Sequence, residues 1–328
     1  MTKVDIIKIE DLSVEYSFRG KTVKALSNVS FDVPPRKITA ILGESGSGKS
    51  TLAKTILGVL PPNGRVVKGK IFFQDKNLLQ LSGKEIQEIR GKRISLIPQN
   101  ALNALSPIHK IGNQLSEVLK ERTMLPKDKA LQRVKEVFKI VGLSEEMVNK
   151  YFFELSGGMR ERTLIAASLL CNPDLVIADE PTTGLDAIIQ YKLLKEFRSL
   201  QAKTGLTMIF ISHDISACAR VSDMVAVLYG GFLFEYGPSG DVFLNPRNPY
   251  TFMLLRSHTD IKKEKGDIVE IKGSPVDLLN PPTGCFFHPR CPYAEAICRE
   301  ELPPIKEVEQ EHFIQCHFSF EGGLKWKQ

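Results

Sequence analysis

Gly43-Glu44-Ser45-Gly46-Ser47-Gly48-Lys49-Ser50 is the stretch that decides how this chain folds. It fits G-x-x-x-x-G-K-[ST], directly after the apolar run Ile38 to Gly43 and directly before the helix-like run Thr51 to Leu60, so it occupies a strand-to-helix turn. Glycines let the backbone turn tightly enough for successive N–H groups and a helix start to face one anion. Lys49 can then reach the outer oxygens of a nucleotide phosphate chain, and the Ser50 hydroxyl can ligate magnesium. Gly43 through Ser50, with Thr51 next in the helix, form the candidate phosphate-binding set. A Gly-rich turn alone would explain the glycines but not the surrounding strand and helix.

Two further stretches carry chemistry. Leu175-Val176-Ile177-Ala178-Asp179-Glu180 is an apolar strand ending in adjacent carboxylates, which side-chain alternation points in different directions. Asp179 is assigned to the magnesium shell and Glu180 to polarising an attacking water, the division that in-line phosphoryl transfer needs. By itself the pair would be an ordinary strand end. Leu155-Ser156-Gly157-Gly158-Met159-Arg160 precedes a helical run from Glu161, so the Ser156 hydroxyl and the amides of Gly157 and Gly158 sit at a helix N-terminus, a second anion-binding device.

Composition narrows the class. The chain has 328 residues, 42% hydrophobic and 25% charged, the profile of a globular protein with room for one large domain and an appendage. The longest apolar stretch, Met224 to Phe234, is interrupted by Gly230 and Gly231 and is shorter than the roughly 20 residues of a membrane span. MTKVDIIKIE alternates like a strand and lacks the features of a secretory signal, which gives a cytoplasmic expectation. The net charge of +6 is scattered without a dense basic tract, so nucleic acid is not an expected partner.

The apolar runs at Ile38 to Gly43, Leu175 to Asp179 and Thr207 to Ser212 read as buried parallel strands of an α/β sheet. Helix-type spacing from Leu115 to Lys139 predicts a helical insertion over about residues 100 to 170. The breaker cluster Asn245-Pro-Arg-Asn-Pro249 and the Pro-rich, charged stretch after Ser257 place a domain boundary near residue 257. Beyond it, Cys285, Cys291, Cys298 and Cys316 are spaced C-x5-C-x6-C-x17-C. Four sulfur donors suit zinc and iron–sulfur clusters alike; His288 and His317 add a mixed zinc site, and two disulfides are a third option.

Taken together, the phosphate loop, LSGGM, LVIADE, Gly184-Leu185-Asp186 and Ser212-His213-Asp214 resemble the ABC ATPase family over residues 1 to about 256. The resemblance implies a RecA-like P-loop core with an antiparallel β subdomain and a helical subdomain. It implies ATP and Mg2+ as ligands, Tyr16 stacking on adenine with Phe18 as competitor, Gln99 at the magnesium, and His213 at the γ-phosphate. It also implies that Ser156 acts on the nucleotide of a second ATPase subunit. The sequence departs from the family at Arg36-Lys37, where many relatives have Gly-Glu, at Asn100-Ala101, where many have Asp-Pro, and at Glu161, where glutamine is common.

Residues 245 to 317, with Asn248-Pro249-Tyr250-Thr251 and GSPVDLLNPPTGCFFHPRCPYAEAIC, are similar to the tail of ATPase subunits of dipeptide and oligopeptide importers. The Met in LSGGM is like the D-type subunit of the pair. That likeness implies residues 1–256 as the ABC nucleotide-binding domain and residues 257–328 as a small, irregular C-terminal extension holding a [4Fe-4S] cluster on the four cysteines. It implies a sister F-type ATPase or a second copy, two transmembrane permeases, an extracellular solute-binding protein, and a place on the cytoplasmic face of the cell membrane. The same machinery importing oligosaccharides or nickel is the alternative. A non-transport ABC protein acting on ribosomes or DNA is disfavoured, because the chain has neither a second phosphate loop nor sustained heptads.

Overall fold

The computed structural model describes residues 5–99, 105–257, 271–320 and 324. It divides into two compact units, one of Met1–Pro34, Ile38–Leu79 and Ile211–Gln328, the other of Pro35–Lys37 and Gln80–Phe210. Among the described residues no helix is long and apolar enough to cross a membrane.

The first unit opens with β1 (Ile7–Phe18) and β2 (Lys21–Val33). In β1 the buried positions run Ile7, Ile9, Leu12 and Val14, and register shifts at Ile9/Leu12 and Leu12/Val14 keep these side chains on the core face although their spacing changes. Then come β3 (Ile38–Leu42), buried along its whole length, and α1 (Lys49–Ile56), with β4 (Gly64–Phe73) and β5 (Lys76–Asn77) after them. Strands β2-β1-β4-β5 form an antiparallel sheet.

The second unit contains α2 (Gly83–Ile89), β6 (Ile94–Ile97), α3 (Ile111–Thr123), α4 (Lys127–Ile140), α5 (Gly157–Leu169), β7 (Leu175–Asp179), α6 (Ala187–Thr204) and β8 (Thr207–Ile211). Its strands run β8-β7-β6, with β6 and β7 parallel. The continuous helical pattern of Leu115 to Lys139 is broken in the structure: Met124 ends α3 in the left-handed conformation (φ 57°), and Pro126 starts α4. Proline lacks an N–H and clashes with a preceding turn, so it opens a helix more readily than it continues one. The departure at Asn100-Ala101 lies outside the described residues.

Returning to the first unit, the chain adds α7 (Ile215–Val221), β9 (Met224–Tyr229), β10 (Phe232–Pro238), α8 (Ser239–Leu244), α9 (Pro249–Ser257), α10 (Ile297–Glu300), β11 (Ile305–Glu309) and β12 (His312–Gln315). Here the strand order is β11-β12-β10-β9-β3, with β3 and β9 parallel and the others antiparallel. The tail, expected to be irregular, thus ends in a hairpin that pairs Glu235 with Ile314 and Tyr236 with Phe313. His312 and Ile314 point into the core and alternate with half-exposed neighbours, which is the period-two pattern of a strand buried on one face. His312 Nε2 meets the fully buried Glu235 carboxylate at 2.8 Å, and that carboxylate also accepts the N–H groups of Arg247 and Asn248.

Candidate nucleotide site

In the first unit the loop between β3 and α1 is shaped by close approach. Gly43 (φ 152°) and Gly48 (φ 106°) both lie in the region that favours glycine. A Cβ on Gly43 would stand 2.1 Å from the Leu228 carbonyl oxygen of β9, and one on Gly48 would stand 2.7 Å from the Ala25 carbonyl oxygen of β2. Neither neighbour can yield, since both belong to packed strands. Lys49 is buried, and its Nζ donates to the carbonyl oxygens of Gly43 (2.8 Å) and Glu44 (2.9 Å). The ammonium is therefore strapped across the loop. No side chain caps α1 at Gly48, and Ser47 Oγ is buried without a hydrogen-bond partner among the described residues. An uncapped helix start, a buried cation and an orphaned hydroxyl suit an oxygen-rich anion.

Tyr16, half-buried on β1, places its hydroxyl 3.4 Å from Thr51 Oγ1 of α1. Its ring lies over Gly64, where a Cβ would meet Cε1 at 2.7 Å. Phe18 stands 59% exposed two residues on, so of the two aromatics Tyr16 is the one tied to the helix of the loop. The Ser212 N–H donates to the Ile41 carbonyl of β3 at 3.2 Å. Ser212 Oγ accepts the Asp214 N–H, and Asp214 caps α7 through the Ala217 N–H. This turn leaves His213 exposed beside the strand that feeds the loop.

In the second unit, Asp179 ends β7 half-exposed and Glu180 follows with φ 52°. Left-handed backbone is uncommon for a non-glycine residue and costs about 1–3 kcal/mol. The Thr183 hydroxyl donates to Glu180 Oε2 at 3.1 Å. Glu180 shares a cavity with Ile97, Pro98, Glu161, Leu164 and Thr183. Gln99 follows Pro98 in an exposed turn after β6. Burial, then the charges of Glu196 and Asp186, push the Glu161 carboxyl up to about 7. Ser156 is the N-cap of α5 and accepts the Met159 N–H at 3.4 Å. Among the described residues a Cβ on Gly157 or Gly158 would touch nothing within 4 Å, so their packing does not explain these two glycines.

The four tail cysteines line one cavity, together with His288, His317, Phe287 and Tyr293. All six cysteines are free thiols, which removes the disulfide option in this structure. Burial pushes the Cys285 thiol up to about 11 and the Cys291 thiol up to about 12, and raises that of Cys316. The assembled four-thiolate metal site expected from the sequence is not found: among the described residues no group of three or more His, Cys, Asp and Glu side chains is gathered to hold a metal ion. The fold turns the thiols toward a common cavity, and burial favours the neutral form of Cys285, Cys291 and Cys316, whereas a metal ligand is a thiolate.

Sequence reasoning missed three residues. Tyr250 accepts the Glu44 N–H on its hydroxyl at 3.0 Å, Arg290 grips the Glu44 carboxylate, and Tyr229 bonds Arg290. No local pattern links positions so distant in the chain.

A phosphate loop heading a helix beside a parallel strand, with a strand-end carboxylate pair, defines a P-loop nucleotide-hydrolysing protein. Residues 26–183 match the model of the ABC transporter family, and residues 234–298 match that of the oligopeptide/dipeptide transporter C-terminal region. The chain is 39% identical over 319 residues to the dipeptide transport ATP-binding protein DppD of Caldanaerobacter subterraneus subsp. tengcongensis, covering 97% of this chain and 98% of that one. It is 40% identical over 314 residues to the oligopeptide transport ATP-binding protein OppD of Bacillus subtilis, covering 94% and 88%. The structure of cbiO1 from Clostridium perfringens, part of the ABC transporter complex cbiONQ, aligns with a TM-score of 0.63 and 30% identity over 73% of this chain and 91% of that one. The chain belongs to the ABC transporter family, among its dipeptide and oligopeptide transport ATP-binding proteins, and it is an ATPase.

Proposed function

We propose that this chain powers peptide import as one of two ATPase subunits that clamp two ATP molecules between them beneath a pair of transmembrane permeases fed by an extracellular binding protein. The observation that carries the reading is the match to a dipeptide transport ATP-binding protein along 97% of the chain, tail included. The α5 start supports the two-subunit arrangement, since Ser156 caps a helix whose Gly157 and Gly158 would each carry a Cβ with nothing within 4 Å among the described residues, at a helix end suited to an anion. A sister chain or a second copy would face it.

Lys49 exchanges its bonds to the Gly43 and Glu44 carbonyls for phosphate oxygens, and the loop amides receive the rest of the phosphate chain. Tyr16 takes the base. Ser50, Asp179 and Gln99 are the residues that would hold magnesium, which neutralises phosphate oxygens as charge develops. Glu180, fixed by Thr183, accepts the proton of the attacking water, and His213 steadies the γ-phosphate. Binding energy closes the pair and hydrolysis reopens it. A [4Fe-4S] cluster on Cys285, Cys291, Cys298 and Cys316 belongs to the same reading, with zinc as the alternative, and is supported by the four thiols sharing one cavity. A cationic centre there would reverse the effect of burial and favour thiolates. Anaerobic purification should give about four irons per chain; one zinc, or no metal, sinks the cluster.

The test of function is uptake by proteoliposomes carrying the permeases and both ATPase subunits. Accumulation of labelled di- and oligopeptides that needs ATP, and stops with Glu180→Gln, is the expected result. Uptake of oligosaccharides or nickel with none of peptides would overturn the cargo.

A further inference from the structure

Arg290 belongs to the tail, yet its guanidinium reaches the phosphate loop. Nη1 donates to Glu44 Oε2 at 2.8 Å and Nη2 to Glu44 Oε1 at 3.0 Å, a two-pronged pair. Nη1 also donates to the Tyr229 hydroxyl at 3.2 Å, and Nε donates to the Lys272 carbonyl at 3.2 Å. The Arg290 side chain is 7% exposed and that of Glu44 20%, so solvent screens this pair far less than a surface bridge. The guanidinium lies over the rings of Tyr229 (5.8 Å) and Phe287 (6.0 Å). Those rings pack with Tyr250, whose hydroxyl accepts the Glu44 N–H. Glu44 is thus held at its carboxylate by the tail and at its backbone by α9. Its own carbonyl receives Lys49.

We infer that Arg290 is a positioning residue for nucleotide binding, setting the path of the phosphate loop through Glu44 and neutralising the one carboxylate in the loop. Two effects follow from removing it. The loop loses the brace that fixes its second residue, and an unpaired negative charge is left beside the place where a polyphosphate must sit. Both weaken binding of the nucleotide more than they slow the chemistry, because neither touches Glu180 or the attacking water.

The inference rests on the phosphate-loop assignment of the proposed function, and the experiment separates the two. Binding of Mg-ATP to the full-length chain is titrated, and ATPase activity is measured in the assembled transporter. Arg290→Ala should raise the Kd and the KM for ATP about tenfold and leave kcat at saturating ATP within about twofold. Arg290→Lys, which keeps the charge but not the fork, should recover part of the loss. Glu44→Ala should weaken binding as well, and the double variant should be no worse than Arg290→Ala, since the pair acts as a unit. An unchanged Kd in folded Arg290→Ala, or additive losses in the double variant, would overturn the inference. If Arg290→Ala does not fold, Arg290→Lys and Glu44→Gln carry the test, and wild-type affinity in both overturns it. Lys49→Ala serves as the reference: if it too binds ATP normally, the loop assignment has failed, whereas its loss beside a normal Arg290→Ala fails only the inference.

Discussion

Glu180 shows what one residue's backbone adds to its side chain. Adjacent carboxylates at the end of an apolar strand are legible in the sequence, although β7 ends at Asp179 and Glu180 lies just beyond it. The left-handed φ of 52° is not legible, since nothing in LVIADE calls for it. Glu180→Gln keeps the shape and should retain ATP while hydrolysis falls roughly 100-fold to 10,000-fold; a variant turning over near the wild-type rate would remove Glu180 from the mechanism. Glu161 supplies a pH effect of known sign. Its folded carboxyl is raised from 4.5 to about 7 by burial and by Glu196 and Asp186, so the folded state binds the proton more tightly. Its contribution to stability is full below 4.5 and is lost as pH rises through about 7. Glu161→Gln should therefore melt higher than wild type at pH 8, and the difference should close as the pH is lowered toward 4.5. Equal melting curves at both ends would refute the assignment.

At the scale of elements, two helix starts use glycine for opposite reasons. The loop before α1 needs Gly43 because β9 lies 2.1 Å from where a Cβ would stand. The start of α5 has open space around Gly157 and Gly158. Gly43→Ala should leave little folded protein, seen as loss of soluble chain. Gly157→Ala should melt like wild type as an isolated chain yet lose most ATPase activity in the assembled dimer. A mixed dimer extends the contrast: Ser156→Arg in one subunit and Lys49→Ala in the other leave one of two composite sites with both halves intact. Activity there is expected; none, with an active unmodified dimer, would place Ser156 outside the site. Motif spacing made both helix starts readable, since the letters themselves encode a turn followed by a helix. The break between α3 and α4 was less so, because the apolar period runs across Met124 and Pro126 and only the proline interrupts it.

For the molecule as a whole, the parallel strands and both glycine loops follow from local sequence, but the tail's place does not. The breaker residues Asn245 to Pro249 and the change of composition after Ser257 mark a C-terminal extension from about residue 257, without saying where it docks. In the structure the tail is bonded to the sheet through β12 and packed on it through Phe287 and Arg290. A chain ending at Ser257 should be recovered mainly as aggregate, because β10 would keep six buried residues and lose its neighbour β12; a soluble, monomeric product with normal ATP affinity would contradict this. The pairing of Arg290 with Glu44 spans 246 positions of chain. During synthesis at about 5–20 residues per second, the loop leaves the ribosome roughly 12 to 50 s before the residue that braces it. A loop encoded near the start of the message is thus braced only near its end, and a ribosome stalled in between carries that loop without its partner Arg290.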